Sequence, residues 1–154
     1  MYKVCSFFGH REISVMEELK SKLKDKIENL ITKENFGIFF FGGFGEFDDL
    51  CHEVVTELKN KYSFVKRIYV CEDYKFVDRP HKRPKWLTKE DYEEFIYLDM
   101  KYTGFYQRIY FRNLEMIEQS DFIIFYVNNT ENSGAYKAMQ YAKRKKKTFI
   151  NVAQ

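Results

Sequence analysis

Two periodicities take turns along the chain. Apolar runs at residues 2–8, 36–41, 64–70, 121–127 and 147–152 read as strands. The run at 36–41 lacks polar alternation, as a strand buried on both faces does. Between these runs apolar residues recur at spacings of three and four. Val15, Leu19, Leu23, Ile27 and Leu30 make one helical stripe, backed by lysines and glutamates and opened by Ser14-Val-Met-Glu17 in the form of a capping box. Phe47, Leu50, Cys51, Val54, Val55 and Leu58 make a second. A third helix carries Tyr106, Ile109, Tyr110, Asn113 and Ile117 along one side and ends near Ser120. A fourth has the small face Ala135, Ala138, Met139 and Ala142, suited to close packing on a sheet.

The rhythm breaks once. Residues 71–93 hold both prolines, Pro80 and Pro84, beside Arg79, His81, Arg83 and the only tryptophan, Trp86. An excursion of this length is either a cover over a ligand or a long connector. Residues 94–98 fit a short strand followed by another strand-to-helix turn at 99–104; a longer helix starting at Thr88 is the alternative that periodicity leaves open. Strands alternating with helices over all 154 residues predict a single α/β domain with a mainly parallel sheet.

Composition narrows the class. A chain of 154 residues suits one domain, and folding at that length buries roughly two-thirds of the unfolded surface. Hydrophobic residues at 45% and aromatics at 19% supply the core, while 32% charged residues give a hydrated surface. A formal charge of +3 is too small to imply nucleic acid, which is not an expected partner. The basic stretch 143–147 has two readings, a nucleic-acid contact or cations offsetting a helix C-terminus. Cys5, Cys51 and Cys71 form no C-x-x-C pair and fall in strand patterns or on an apolar helix face. They read as reduced core thiols, so a cytoplasmic location is expected. No leader and no apolar run near 18 residues long is visible, so no membrane is expected.

The candidate chemistry gathers at three turns. After 36–41 comes Gly42-Gly43-Phe44-Gly45-Glu46, a glycine turn opening a helix. Such a corner lets a ligand approach the backbone and aims first-turn amides at it, which suits phosphate, although packing relief explains glycines equally well. The spacing matches neither the dinucleotide nor the P-loop fingerprint, and no cofactor is expected. The other two turns are Gly9-His10-Arg11 after the first strand and Asn128 to Gly134 after 121–127. All three fall at the carboxyl edge of the predicted sheet, where ligands bind in open α/β folds.

With these turns in view the chain resembles the SLOG superfamily of Rossmann-like proteins, and its YpsA-like branch in particular. The matching pieces are Gly9-His10-Arg11 and Gly42-Gly43-Phe44-Gly45-Glu46-Phe47-Asp48. Further along are Lys101-Tyr102-Thr103-Gly104, then Arg112-Asn113 through Met116-Ile117 to Ser120-Asp121, and last Ser133-Gly134 with Tyr141-Ala142. The resemblance implies a Rossmann-like three-layer sandwich that binds a nucleotide or nucleotide-derived ligand, ADP-ribose- or NAD-like or a nucleoside phosphate, as a sensor or sequestering protein. It also implies a possible homodimer, since relatives are often dimers. Some relatives cleave the N-glycosidic bond of nucleoside monophosphates, others act as sensors of nucleotide signals, and DprA is a more distant, nucleic-acid-processing relative. The hydrolytic LOG branch carries Gly-Gly-x-Gly-Thr-x-x-Glu where this chain reads Ser133-Gly134-Ala135-Tyr136-Lys137-Ala138. Ala138 stands at the glutamate's place, whereas the family arginine has a counterpart in Arg112.

Each candidate carries two readings. Arg11 and Arg112 can grip phosphate with a planar fork of donors or make surface ion pairs. His10 can donate to a ligand, act as a general acid or cap a helix. Glu46 and Asp48 can serve as general acid/base in a hydrolase or deoxyribosyltransferase, or simply complement helix amides. Asn113 stands beside Arg112; Ser133 and Gly134 offer donors to phosphate or an ordinary N-cap. Trp86 is the favoured base-stacking residue, ahead of Tyr74 and Tyr102. No His/Cys/Asp/Glu spacing resembles a zinc site.

Overall fold

The computed structural model describes residues 1–14, 16–42, 45–71, 91–98, 104–128 and 133–153. Along the chain these form β1 (Lys3–Gly9), α1 (Met16–Lys33), β2 (Phe36–Phe41), α2 (Glu46–Lys61) and β3 (Lys66–Cys71). Then follow β4 (Glu94–Tyr97), α3 (Phe105–Gln119), β5 (Phe122–Tyr126), α4 (Gly134–Arg144) and β6 (Phe149–Asn151). The strands make one six-stranded sheet in the order β4-β3-β2-β1-β5-β6, and every pairing is parallel. Residues 94–97 settle as the edge strand β4, the strand reading of the ambiguous segment. Val15, Gly43, Phe44, Tyr74, Trp86, Tyr102 and most of the 71–93 excursion lie outside the described residues.

Side-chain alternation across the strands divides the core in two. Cys5, Phe7, Phe39, Phe41 and Tyr69 pack with Leu19, Leu23, Ile27 and Leu30 of α1 and with Phe47 and Leu58 of α2. The opposite face sends Phe8, Phe40, Ile68, Ile123 and Phe125 against Met116 and Ile117 of α3 and the small face of α4. Helices on both faces of a parallel sheet give the expected three-layer sandwich. A hydroxyl in the middle of β1 is accommodated by pairing: Ser6 Oγ lies 2.6 Å from Ser120 Oγ, which also donates to the Met116 carbonyl. Cys5, Cys51 and Cys71 are all buried outside any disulfide, and burial pushes the thiols of Cys5 and Cys51 well up, away from the reactive thiolate.

In α3 the buried residues are Arg112, Asn113, Met116 and Ile117, whereas Tyr106 and Tyr110 are exposed. The stripe predicted along α3 thus leaves the core in the helix's first turns. The basic stretch is tied to α3: Lys145 pairs with Glu118 at 3.3 Å, and Lys147 donates to the Glu118 and Ser120 carbonyls. Among the described residues no helix is long and apolar enough to cross a membrane.

Chain order around the sheet fixes where a ligand belongs. From β1 the chain moves outward through β2 and β3 to β4, then returns to β5 on the other side of β1. The reversal therefore lies between β1 and β5, and loops leaving their carboxyl ends diverge there.

Candidate functional site

A cavity of about 760 Å³ opens at that carboxyl edge, a volume typical of small-molecule sites. Four segments wall it. The exit of β1 contributes Gly9, His10 and Arg11; the β2–α2 corner contributes Gly42 and Asp48. From α3 come Tyr106, Gln107, Tyr110, Arg112 and Asn113, and from the start of α4 come Ser133, Gly134, Ala135, Lys137 and Ala138.

Arg112 is the deepest charge in this wall, only 4% exposed. Its Nη1 donates to the Gly42 carbonyl at 3.0 Å, and Nε and Nη2 both donate to Asn113 Oδ1, at 3.3 and 3.0 Å. A Cβ on Gly42 would stand 2.6 Å from Nη2. Glycine at 42 is thus what lets the guanidinium lie flat against the end of β2, in a pre-set orientation.

The β1 exit is held from both sides. His10 Nε2 accepts from the Asn128 amide at 3.0 Å, and the His10 amide donates to the Tyr126 carbonyl at 3.3 Å. An accepting Nε2 places the proton of the neutral ring on Nδ1. The histidine therefore bridges the two loops that diverge at the sheet's reversal. On the α2 side, the Glu46 amide donates to the Arg11 carbonyl at 2.8 Å, and the Glu46 carboxylate accepts from the Ile13 amide at 2.9 Å. Glu46 thereby binds the first loop to α2 and is not among the residues lining the cavity.

The two helix starts differ in charge. The first turn of α2 holds Glu46, Asp48 and Asp49. Burial, reinforced by Asp48 and Glu46, pushes the Asp49 carboxyl up to about 6. Tyr92, packed behind this turn, is only 6% exposed, and its phenol is pushed up by burial and by the carboxylates of Asp48, Asp91 and Asp49. In contrast the first turn of α4 has no acidic residue; Ser133 caps it by accepting from the Tyr136 amide at 3.0 Å. With Arg11, Arg112 and Lys137 facing Asp48, the wall carries more cationic than anionic side chains.

The structure thus brings Gly9, His10, Arg11, Gly42, Asp48, Arg112, Asn113, Ser133 and Gly134 to one cavity. Gly45 and Glu46 stand behind the wall, holding the loops, while Gly43, Phe44 and Trp86 lie outside the described residues. Sequence reasoning passed over Gln107 and Lys137. The available signal was a lysine three positions after Gly134, in the first turn of the helix that the third of the predicted turns opens. Among the described residues no group of three or more His, Cys, Asp or Glu is placed to hold a metal ion.

No family model matches the chain, and no curated protein sequence matches it. Solved structures do. The protein TM1055 superposes with a TM-score of 0.60 at 13% identity, over 96% of this chain and 72% of its own. DNA processing protein A (DprA) from Streptococcus pneumoniae gives 0.63 at 13% identity, covering 96% of this chain and 49% of DprA. The Helicobacter pylori DprA structure, which concerns that protein's single-stranded DNA binding mode, gives 0.62 at 13% identity, over 96% and 63%. This chain therefore spans about half to under two-thirds of the DprA chains. At such identities the likeness is one of fold alone, a Rossmann-like α/β sandwich.

Proposed function

We propose that the protein binds a nucleotide or nucleotide-derived ligand, ADP-ribose-like or a nucleoside phosphate, with its phosphate between Arg11, Lys137 and the start of α4. Within the SLOG-like fold, the ordered motifs favour a YpsA-like relationship. One observation carries the reading: the cavity at the sheet's reversal joins a buried, pre-oriented arginine to a helix start free of acidic residues. Amides at such a start, with the positive end of the helix dipole behind them, favour an anion. The anion belongs at α4 and not at α2, whose first turn already holds three carboxylates. The role read here is that of a sensor or sequestering protein, since Ala138 stands where the hydrolytic relatives carry their glutamate.

Isothermal titration with nucleoside monophosphates, NAD and ADP-ribose tests this. Binding of at least one is expected, with affinity falling at least tenfold in Arg11→Ala plus Lys137→Ala, since each charge-assisted contact contributes about 1.5–3 kcal/mol. Absence of binding across the panel at millimolar ligand overturns the reading.

A second reading rests on Asp48, a buried carboxylate in the cavity wall. Of the two acids considered for glycosidic cleavage, it alone faces the space where a sugar would lie, and it would act there as general acid/base. Release of free base from a nucleotide, abolished in Asp48→Asn, supports hydrolysis; unchanged turnover removes Asp48 from it. Single-stranded DNA is the third ligand to test, and salt-dependent binding there would move the reading towards nucleic acid.

A further inference from the structure

We propose that Tyr106 and Tyr110 of α3 form a stacking platform for a nucleobase, so that the cavity takes a nucleoside phosphate by both ends and discriminates it from a sugar phosphate. The proposal rests on the anion-site reading above and extends it to the other end of the ligand. Both residues line the cavity, and they are 79% and 38% exposed. Their spacing of four residues puts them one above the other on the same side of α3. The helix face they start continues into Asn113, Met116 and Ile117, which are buried. The stripe therefore keeps its register but loses its sheet partner at this point and borders the cavity instead. Tyr110 is braced by an edge-on contact with Phe111, ring centroids 5.3 Å apart.

Other exposed aromatics among the described residues sit elsewhere. Tyr2 and Phe64 stack on each other at 4.7 Å, before β1 and β3 begin, and Tyr97 lies on the edge strand β4. Only the α3 pair shares a cavity with cationic side chains. Tyrosine suits the role because every base offers a π-face to an aromatic ring, while the phenol tip stays hydrated. Arg11, Lys137 and the start of α4, which line the same cavity, receive the phosphate.

Calorimetric titration of the full chain with adenosine 5′-monophosphate, ribose 5-phosphate and adenosine tests the platform. The monophosphate is expected to bind at least tenfold tighter than ribose 5-phosphate. Tyr106→Ala plus Tyr110→Ala should erase that advantage and leave ribose 5-phosphate affinity unchanged, whereas Tyr106→Phe plus Tyr110→Phe should retain it. Both sites are exposed enough for the variants to fold, which circular dichroism checks. Equal affinity for the two phosphates overturns the platform and leaves the anion site standing. So does an alanine variant that weakens both alike. Adenosine binding as tightly as its monophosphate, with the same dependence on the tyrosines, overturns the anion site and supports the platform. Failure of all three probes to bind overturns both.

Discussion

The two strand-to-helix corners at the cavity, β2–α2 and β5–α4, occupy similar positions and are built in opposite ways. At the first, the protein fills its own space. A Cβ on Gly9 would overlap the ring of Phe47, which is fully buried, and Gly45, with φ of 94°, brings its Cα so near Arg11 that a Cβ would lie 2.7 Å from the Arg11 Cα. The helix start is occupied by carboxylates of the chain itself. At the second corner a serine caps the helix, no carboxylate follows, and a Cβ on Gly134 would meet nothing within 4 Å. Glycine density marks tight packing as readily as ligand approach. What separates the two is what stands where the missing side chain would be, and which charges surround the helix start.

The sharpest way to break this contrast is Phe47→Ala. Its ring fills the space above Gly9 and lies 5.6 Å from the Tyr126 ring, so truncation leaves a cavity between α2 and the sheet. A loss of about 3–5 kcal/mol is expected in urea unfolding. Ser133→Ala at the other corner removes a single capping hydrogen bond and should cost only about 1 kcal/mol. Equal losses would mean that the second corner is as much a packing element as the first.

Much of the layout was legible in the sequence because periodicity reports burial directly. The buried stripes of α1 and α2 and the strands of both faces follow it closely, and even the short β4 fits its apolar residues. The site was legible as a set of turns but not as a set of roles. Gly42, Gly45 and Glu46 lie in one motif, yet the first makes room for Arg112, the second adopts a positive φ, and the third holds the first loop. Only partners distant in the chain decide such roles. Arg112 shows the same limit. Its hydrogen bond to the Gly42 carbonyl, 70 residues away, means that charge reversal there would disturb the fold as well as a phosphate. The exposure of Tyr106 and Tyr110 was not legible either, because a stripe's period does not say where the opposing layer ends.

Asp49→Asn sharpens the electrostatic side of the comparison. The folded chain holds this carboxyl at about 6, against an ordinary 3.8, chiefly through burial. Between those values the folded state binds more protons than the unfolded one, so stability falls as pH rises through that window. Asparagine keeps the shape and removes the charge. The variant should match the parent below pH 4 and exceed it by under about 1 kcal/mol above pH 6, after allowing for solvent screening of a half-buried group. Parallel urea titrations at pH 4, 5, 6 and 7 check this. A constant difference across the series would show that the folded chain does not raise this carboxyl above its unfolded value.

Gly134→Ala has the smallest expected effect on the fold and the most to say about the second corner. Gly134 is the first residue of α4 and does not adopt a positive φ, so alanine fits its backbone. The added methyl enters open space, and alanine reduces the freedom of the unfolded chain. Stability should therefore rise by about 0.5 kcal/mol, seen as a slightly higher Tm. Ligand affinity should move the other way, because the methyl sits at the cavity wall beside the helix amides that the phosphate would approach. A more stable protein that binds its nucleotide several-fold more weakly is the expected outcome. If binding is unchanged while stability rises, the start of α4 is not where the anion sits, and the weight shifts to Arg11 and Arg112 at the β1 and β2 exits.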